Sequence, residues 1–242
     1  MIADLAHIFQ GTFAALGETL SVNTAPRMPL ENFLCSTQLL ETLEQFSRRW
    51  PEPDPRVVAT QWSKTYFSTL LPAALLPALL HDWCLPLTPS TMGLQISPAG
   101  AVSGFELSSA GECRNALQGT SARFDFLVVD HLRPVIEMLA ATTPLPAKVL
   151  WSNAGNAFEN IVGRASGLLG SEHPAVLEGQ AIMAERRDAT GRPNPLFQPI
   201  RYIDNGKERI RQRRICCLRY FTPELGYCKS CPKPEVGREC NA

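Results

Sequence analysis

Five of the eight cysteines in this 242-residue chain fall within its last 27 residues: Cys216, Cys217, Cys228, Cys231 and Cys240. The other three, Cys35, Cys84 and Cys113, are scattered through apolar surroundings and read as buried structural thiols. A disulfide framework would spread its bridges through the fold, so the clustering points to a metal site. Cys228-Lys229-Ser230-Cys231 is a CxxC, a turn that aims two thiolates at one place. Alone it suits zinc, an iron–sulfur centre or a redox dithiol. The adjacent pair Cys216-Cys217 narrows the choice. Neighbouring side chains diverge in an extended strand, so both face one site only where the backbone turns. Structural zinc usually closes with two separated pairs. A two-iron centre spreads four thiolates over two metals and accepts the adjacent pair more readily. A zinc staple that only holds the tail folded is the alternative.

The run Arg213-Arg214-Ile215-Cys216-Cys217-Leu218-Arg219-Tyr220, followed by Tyr227-Cys228-Lys229-Ser230-Cys231-Pro232, resembles the C-terminal signature of the FhuF family of siderophore-iron reductases. That pattern is Cys-Cys-x10-Cys-x2-Cys, and the chain matches it without a gap. Weaker echoes lie upstream, at Leu150 to Phe158 and at Pro195-Leu196-Phe197. The resemblance implies a [2Fe–2S] cluster on Cys216, Cys217, Cys228 and Cys231, with Cys240 outside the pattern. It also implies one-electron reduction of ferric iron held by siderophores, mostly of hydroxamate type. Trp151, Asn153 and Tyr227 are then candidates to line a substrate groove between the cluster segment and the helical body. A [2Fe–2S] sensor of oxidative or iron status would use the same ligands.

The surrounding charge bears on partners. Formal net charge is zero, which speaks against a generic nucleic-acid binder. Residues 1–150 nevertheless carry −4 and residues 151–242 carry +4. From Arg201 to Arg219 seven basic residues face only Asp204 and Glu208. The run reads as a solvated face or as a docking patch built on Arg209, Arg211 and Arg213. Such a patch would receive an acidic electron donor, a ferredoxin-like protein or a reductase, or touch an anionic membrane surface. Cations near a four-thiolate cluster also favour its more negative, reduced form. No GxGxxG or GxxxxGK[ST] appears, so the electrons are expected from another protein. Other histidine constellations, His81-Asp82-Trp83 and His131 beside Asp130, read as capping and packing groups.

Periodicity supplies the elements that must hold this site. Leu30, Phe33, Leu34, Leu40, Leu43 and Phe46 predict one amphipathic helix over 29–49. Asp54-Pro55 predicts a helix start, running to about Leu71 and broken by Pro72 and Pro77 before His81. Met92 to Leu107 alternates around Ser97-Pro98-Ala99-Gly100, a hairpin. Phe124 to Ala140 is helical with a kink at Pro134, and two further helices run over 150–168 and 174–187. The fold class is α+β, mainly helical, with a small antiparallel hairpin or sheet. Residues 1–200 form the body and residues 201–242 the C-terminal iron–sulfur-binding segment. No signal-type leader is apparent: Asp4 interrupts the first apolar stretch and the first basic residue is Arg27. The longest apolar stretch, Phe67 to Leu80, falls short of the roughly 20 residues of a spanning helix. A cytoplasmic protein is expected, at most resting on the inner face of the membrane.

Overall fold

The most apolar stretch of the sequence becomes the spine of the molecule. In this computed structural model, which describes residues 2, 5–114, 123–188, 190–204, 206 and 208–233, α4 runs unbroken from Pro55 to His81. Asp54 caps it, its Oδ1 accepting from the Arg56 N–H at 2.8 Å, and Pro55 fills the first turn. Pro72 and Pro77 lie inside the helix and do not end it, contrary to the sequence expectation. Each costs about 3 kcal/mol in a helix interior. The surrounding turns recover more: Leu70, Leu71, Leu75 and Leu79 are almost fully buried, each contributing about 1.5–3 kcal/mol. A helix buried on nearly every face is set by its neighbours, not by local propensity.

The preceding helical pattern divides in two. α1 (Ala14–Gly17) and strand β1 (Leu20–Val22) lead into α2 (Leu30–Leu34) and α3 (Thr37–Ser47). The break at Cys35-Ser36 turns the Leu39–Leu43–Phe46 stripe of α3 onto α4. β2 (Trp83–Cys84) follows α4 and pairs with β5 (Glu112–Cys113). Between them lies the expected hairpin, β3 (Gly93–Ile96) against β4 (Val102–Leu107), with Gly93 opposite Glu106 and a bulge at Gln95/Ile96. Gly100 closes its turn at φ +72°, and a Cβ there would strike the Thr42 carbonyl oxygen at 2.6 Å. β1 adds to β4 in parallel, Leu20 opposite Phe105, giving the order β1-β4-β3.

α5 (Asp125–Leu127) passes through a π-turn at Val128–Leu132 into α6 (Arg133–Thr142). Pro134 has no N–H for the Asp130 carbonyl, and the turn widens in front of it. That π-turn is the structural form of the expected kink. It carries His131 inward, where Nε2 lies 2.8 Å from the Tyr66 hydroxyl and Nδ1 lies 2.6 Å from the Leu87 carbonyl oxygen. α7 (Ala147–Leu169) packs along α4, and α8 (Pro174–Ala184) covers the far part of α7. The loop over 185–199 leads to the hairpin β6 (Ile200–Asp204) and β7 (Arg209–Arg213), Ile200 opposite Arg213. The cysteine segment follows β7 directly. No helix among the described residues is long and apolar enough to cross a membrane.

Candidate metal centre

The cysteine segment is held by three polar rungs that α7 offers to β7. Asn153, Asn156 and Glu159 stand three residues apart on one face of the helix. Arg211 donates through Nε to Glu159 Oε2 at 2.8 Å and through Nη1 to Asn156 Oδ1 at 3.0 Å. The Tyr202 hydroxyl also donates to Glu159. Arg213 is 2% exposed and donates through Nη2 to Asn153 Oδ1 at 2.6 Å and Ser152 Oγ at 3.0 Å. Asn153, itself 3% exposed, reaches on to α4: its Nδ2 donates to Thr60 Oγ1 and Ser63 Oγ, both at 2.9 Å. A buried chain of hydrogen bonds therefore runs from the central helix through α7 to the residue three positions before Cys216.

Past β7, the Arg214 N–H donates to the Pro199 carbonyl at 3.2 Å and Ser152 Oγ donates to the Ile215 carbonyl at 3.2 Å. The chain bends at Arg214 and Ile215, just ahead of the adjacent cysteines, and turns again just after them at Leu218, which is left-handed at φ +60°. Its N–H donates to Cys216 Sγ at 3.4 Å. Two short 3-10 turns, Arg219–Phe221 and Pro223–Leu225, return the chain to Cys228. The Cys231 N–H donates to the Cys228 carbonyl at 3.0 Å, closing the CxxC turn. Arg56 on α4 lies 4.9 Å from the Phe221 ring and Lys233 lies 3.8 Å from the Tyr220 ring, pinning the loop from both ends.

These turns bring Cys217 and Cys228, one thiol from each half of the motif, together. Cys217 Sγ and Cys228 Sγ are 3.6 Å apart, with Cys217 1% exposed. Cys216 senses the charges of Cys217 and Cys231, and Cys231 is 3% exposed. Among the described residues no group of three or more potential ligands stands close enough to hold a metal ion without side-chain movement. The geometry is a close Cys217–Cys228 pair with Cys216 and Cys231 on the same short segment.

The electrostatics agree. Sharing a proton with Cys228 holds the Cys217 thiol well below its ordinary range, against the effect of burial, and the charges of Lys64 and Arg213 help. The same shared proton pushes Cys228 up. Burial also raises Cys216, with the Leu218 N–H opposing it. Lys64 on α4 is half-buried and hydrogen-bonds the Cys217 sulfur; burial lowers its pKa and the Cys217 thiolate pulls it back up. Burial likewise lowers Arg213, opposed by Cys217, Cys228 and Cys216. Buried charges need partners, and two buried donors here have none within the protein: Arg213 Nε and Thr222 Oγ1. An anionic group with acceptor sulfurs answers both the unpaired N–H and the two cations. The residues present therefore fit a four-thiolate [2Fe–2S] cluster on Cys216, Cys217, Cys228 and Cys231.

The other sequence candidates separate. Trp151 lines a cavity of about 520 Å³ together with Lys148, Phe197, Gln198, Arg214 and Ile215. Asn153 does not line it; it is buried behind the cluster segment and holds Arg213. Tyr227 is 45% exposed and stacks on Tyr220 at 5.7 Å, away from the residues of that cavity. Of the three docking arginines, Arg209 is exposed over the Tyr202 ring, Arg211 is paired with Glu159, and Arg213 is buried. They do not form one exposed face. Sequence reasoning missed Lys64, Thr60 and Ser63, because the chain places them more than 150 residues before the thiols they serve. The one local signal was a lysine set between Trp62-Ser63 and Tyr66-Phe67 in a buried helix. The three scattered cysteines are not buried as expected: Cys35 and Cys113 are exposed and Cys84 is half-buried, on short or edge elements that the core does not cover. Cys240 and Lys207 lie outside the described residues.

Comparison with known proteins gives the family and its cofactor. Residues 60–210 match the family model described as "Ferric iron reductase FhuF-like transporter", and residues 213–233 match "FhuF 2Fe-2S C-terminal domain". The chain is 25% identical over 170 residues to the "Ferric siderophore reductase" of Escherichia coli strain K12, covering 70% of this chain and 63% of that protein. It thus spans somewhat less than two thirds of that relative's length. Its fold is similar to part of the ATP-bound aerobactin synthetase IucA from Klebsiella pneumoniae, with a TM-score of 0.52 and 11% identity, over 70% of this chain and 36% of that one. That likeness concerns the fold alone. The first family match starts at Thr60, the α4 end of the hydrogen-bond chain, and the second starts at Arg213, its other end. With its C-terminal cysteine segment a [2Fe–2S] domain, the chain belongs to the FhuF family.

Proposed function

We propose that the protein is a ferric-siderophore reductase that passes one electron to chelated Fe(III) and so releases Fe(II). The observation that carries the reading is the four-thiol segment seated beside Lys64 and Arg213 and flanked by an open cavity. When bound, the cluster supplies a one-electron carrier. Ferric iron is a hard cation gripped by hydroxamate oxygens; ferrous iron is softer, carries less charge and is held far more weakly by the same cage. One electron in therefore frees the metal, with no covalent bond of the chelator broken. The chain's own residues have three tasks: to hold the thiols, to balance their charge and to bring the chelate near. The electron comes from an external donor, a ferredoxin-like protein or a reductase, which is oxidised by one electron as the ferric chelate is reduced by one. The reading supposes a cytoplasmic site of action, in solution or at the inner face of the membrane, after the chelate has been imported.

The test is stopped-flow mixing of dithionite-reduced protein, freed of excess reductant, with a ferric hydroxamate and a ferrous trap. One trapped Fe(II) should appear for each protein reoxidised. A protein that stays reduced against several chemically distinct ferric chelates, yet reacts readily with oxygen or peroxide, would be a sensor instead. A colourless protein containing zinc would be a stapled interaction module.

A further inference from the structure

The cavity at Trp151 has a charge character that the reductase reading does not itself require. Its volume of about 520 Å³ lies within the range of small-molecule sites. α7 supplies Lys148, Trp151 and Ser152, the loop before β6 supplies Phe197 and Gln198, and the chain leaving β7 supplies Arg214 and Ile215. Lys148 and Arg214 are both exposed at its rim, and among the described residues no carboxylate lines it. A third cation, Arg186, lies 4.8 Å from the Phe197 ring, and Arg214 lies 5.6 Å from that ring. Phe197 thus has two guanidiniums over its ring.

The walls are held in place. Gln198 is left-handed at φ +42°, an uncommon state for a residue with a side chain. It is fixed by its N–H donating to the Met183 carbonyl at 2.8 Å, and its Oε1 receives Arg214 Nη1 at 3.4 Å. Gly155 lets Pro199 lie against α7; a Cβ there would meet Pro199 Cβ at 2.7 Å. The cavity also adjoins the cluster segment directly. Ile215 precedes the first ligand, and Ser152 both bonds the Ile215 carbonyl and receives Arg213.

We propose that this cavity binds the ferric chelate and selects chelates of net negative charge, hydroxamates whose scaffold carries free carboxylates, over neutral tris-hydroxamates. The selection rests on the reductase reading for its substrate and narrows that substrate. Trp151 presents an apolar face to the chelator backbone, while Lys148 and Arg214, the latter held over Phe197, meet the carboxylates. Cations around a site with no carboxylate among the described residues also disfavour a chelate with a pendant ammonium.

The experiment separates binding from reduction by using gallium(III), which occupies the ferric site of a chelator and takes no electron. Isothermal titration calorimetry on the cluster-loaded protein compares two gallium(III) hydroxamate complexes, one neutral and one carrying two free carboxylates. The anionic complex should bind about tenfold more tightly, the sum of two partly exposed charge contacts. Lys148→Glu should remove most of that preference, and Lys148→Gln with Arg214→Gln all of it. Binding of the neutral complex should stay within about twofold. An unchanged visible spectrum verifies that the variants keep the cluster. The ferric forms of both chelates are tested in parallel for reoxidation of the reduced protein. If both reoxidise it while the two affinities are equal, or unmoved by Lys148→Glu, the cavity proposal falls and the reductase reading stands. If the charge preference holds and follows Lys148 while neither ferric chelate is reduced, the binding site stands and the reductase reading falls.

Discussion

Lys64 is the side chain that most changes the chemistry of the four thiols while being none of them. It reaches Cys217 from the central helix and also donates to Gln61 Oε1 at 3.4 Å. A cation there favours whichever redox state carries more negative charge. At about 6 Å and an effective dielectric of about 20, one unit charge interacts with another by about 3 kcal/mol. Solvent reaching a half-buried ammonium trims that effect. Lys64→Met should therefore lower the one-electron reduction potential by on the order of 50–100 mV, at about 59 mV per factor of ten. Spectroelectrochemical titration reads it directly, and an unchanged potential would show that the charge is answered elsewhere. Lys64→Arg should recover most of the shift. Arg213 is a poorer choice for such a test, because its removal also strands Asn153 Oδ1 in the interior.

At the scale of elements, His131 ties three segments through one ring. The Leu87 carbonyl can only accept, so Nδ1 carries the proton and Nε2 accepts from the Tyr66 hydroxyl. Burial pushes the imidazole down to about 4, against the pull of the Leu87 carbonyl. An unfolded histidine takes up its proton near pH 6.5, whereas the folded one refuses it until about 4. Stability is therefore whole above about pH 6.5 and is lost as pH falls toward 4, by on the order of 3 kcal/mol. Urea midpoints at pH 7.5 and 4.5 should separate accordingly. In His131→Gln the separation should shrink, although that variant starts less stable. This tie was not legible in the sequence, where His131 read only as a packing residue beside Asp130. The hairpin at 93–107 and the start of α4 were legible, because turn chemistry and capping act within a few residues. The uninterrupted α4 was not, because its prolines are outweighed by burial against α7 and β4. Nor was the parallel pairing of β1 with β4, whose partners Leu20 and Phe105 meet only after the hairpin has formed. The cysteine motif was fully legible as a pattern, whereas its supporting cations came from α4 by tertiary contact.

For the whole molecule, the surplus of positive charge in the C-terminal part survives folding in reduced form. Arg211 and Arg213 turn inward, leaving Arg201, Arg209 and Lys229 exposed around the cysteine segment. Delivery of electrons by an acidic donor should slow as ionic strength rises, since exposed charges are screened over about 8–10 Å near physiological salt. Arg201→Gln with Arg209→Gln should flatten that salt dependence in stopped-flow traces, without moving the potential. A rate indifferent to salt would leave these arginines as a solvated face. The hydrogen-bond chain from Thr60 to Arg213 has a further consequence, one of supply and turnover. It carries a guanidinium into the interior with one N–H unanswered by the protein, so the seat of the tail is complete only when something anionic occupies the thiols. Loading then acts as a ligand of the folded state, and mass action ties the docked fraction to how much cluster the cell can furnish. A chain short of its cofactor should then loosen first at the cysteine segment, and limited proteolysis of protein prepared with and without cluster would read the difference.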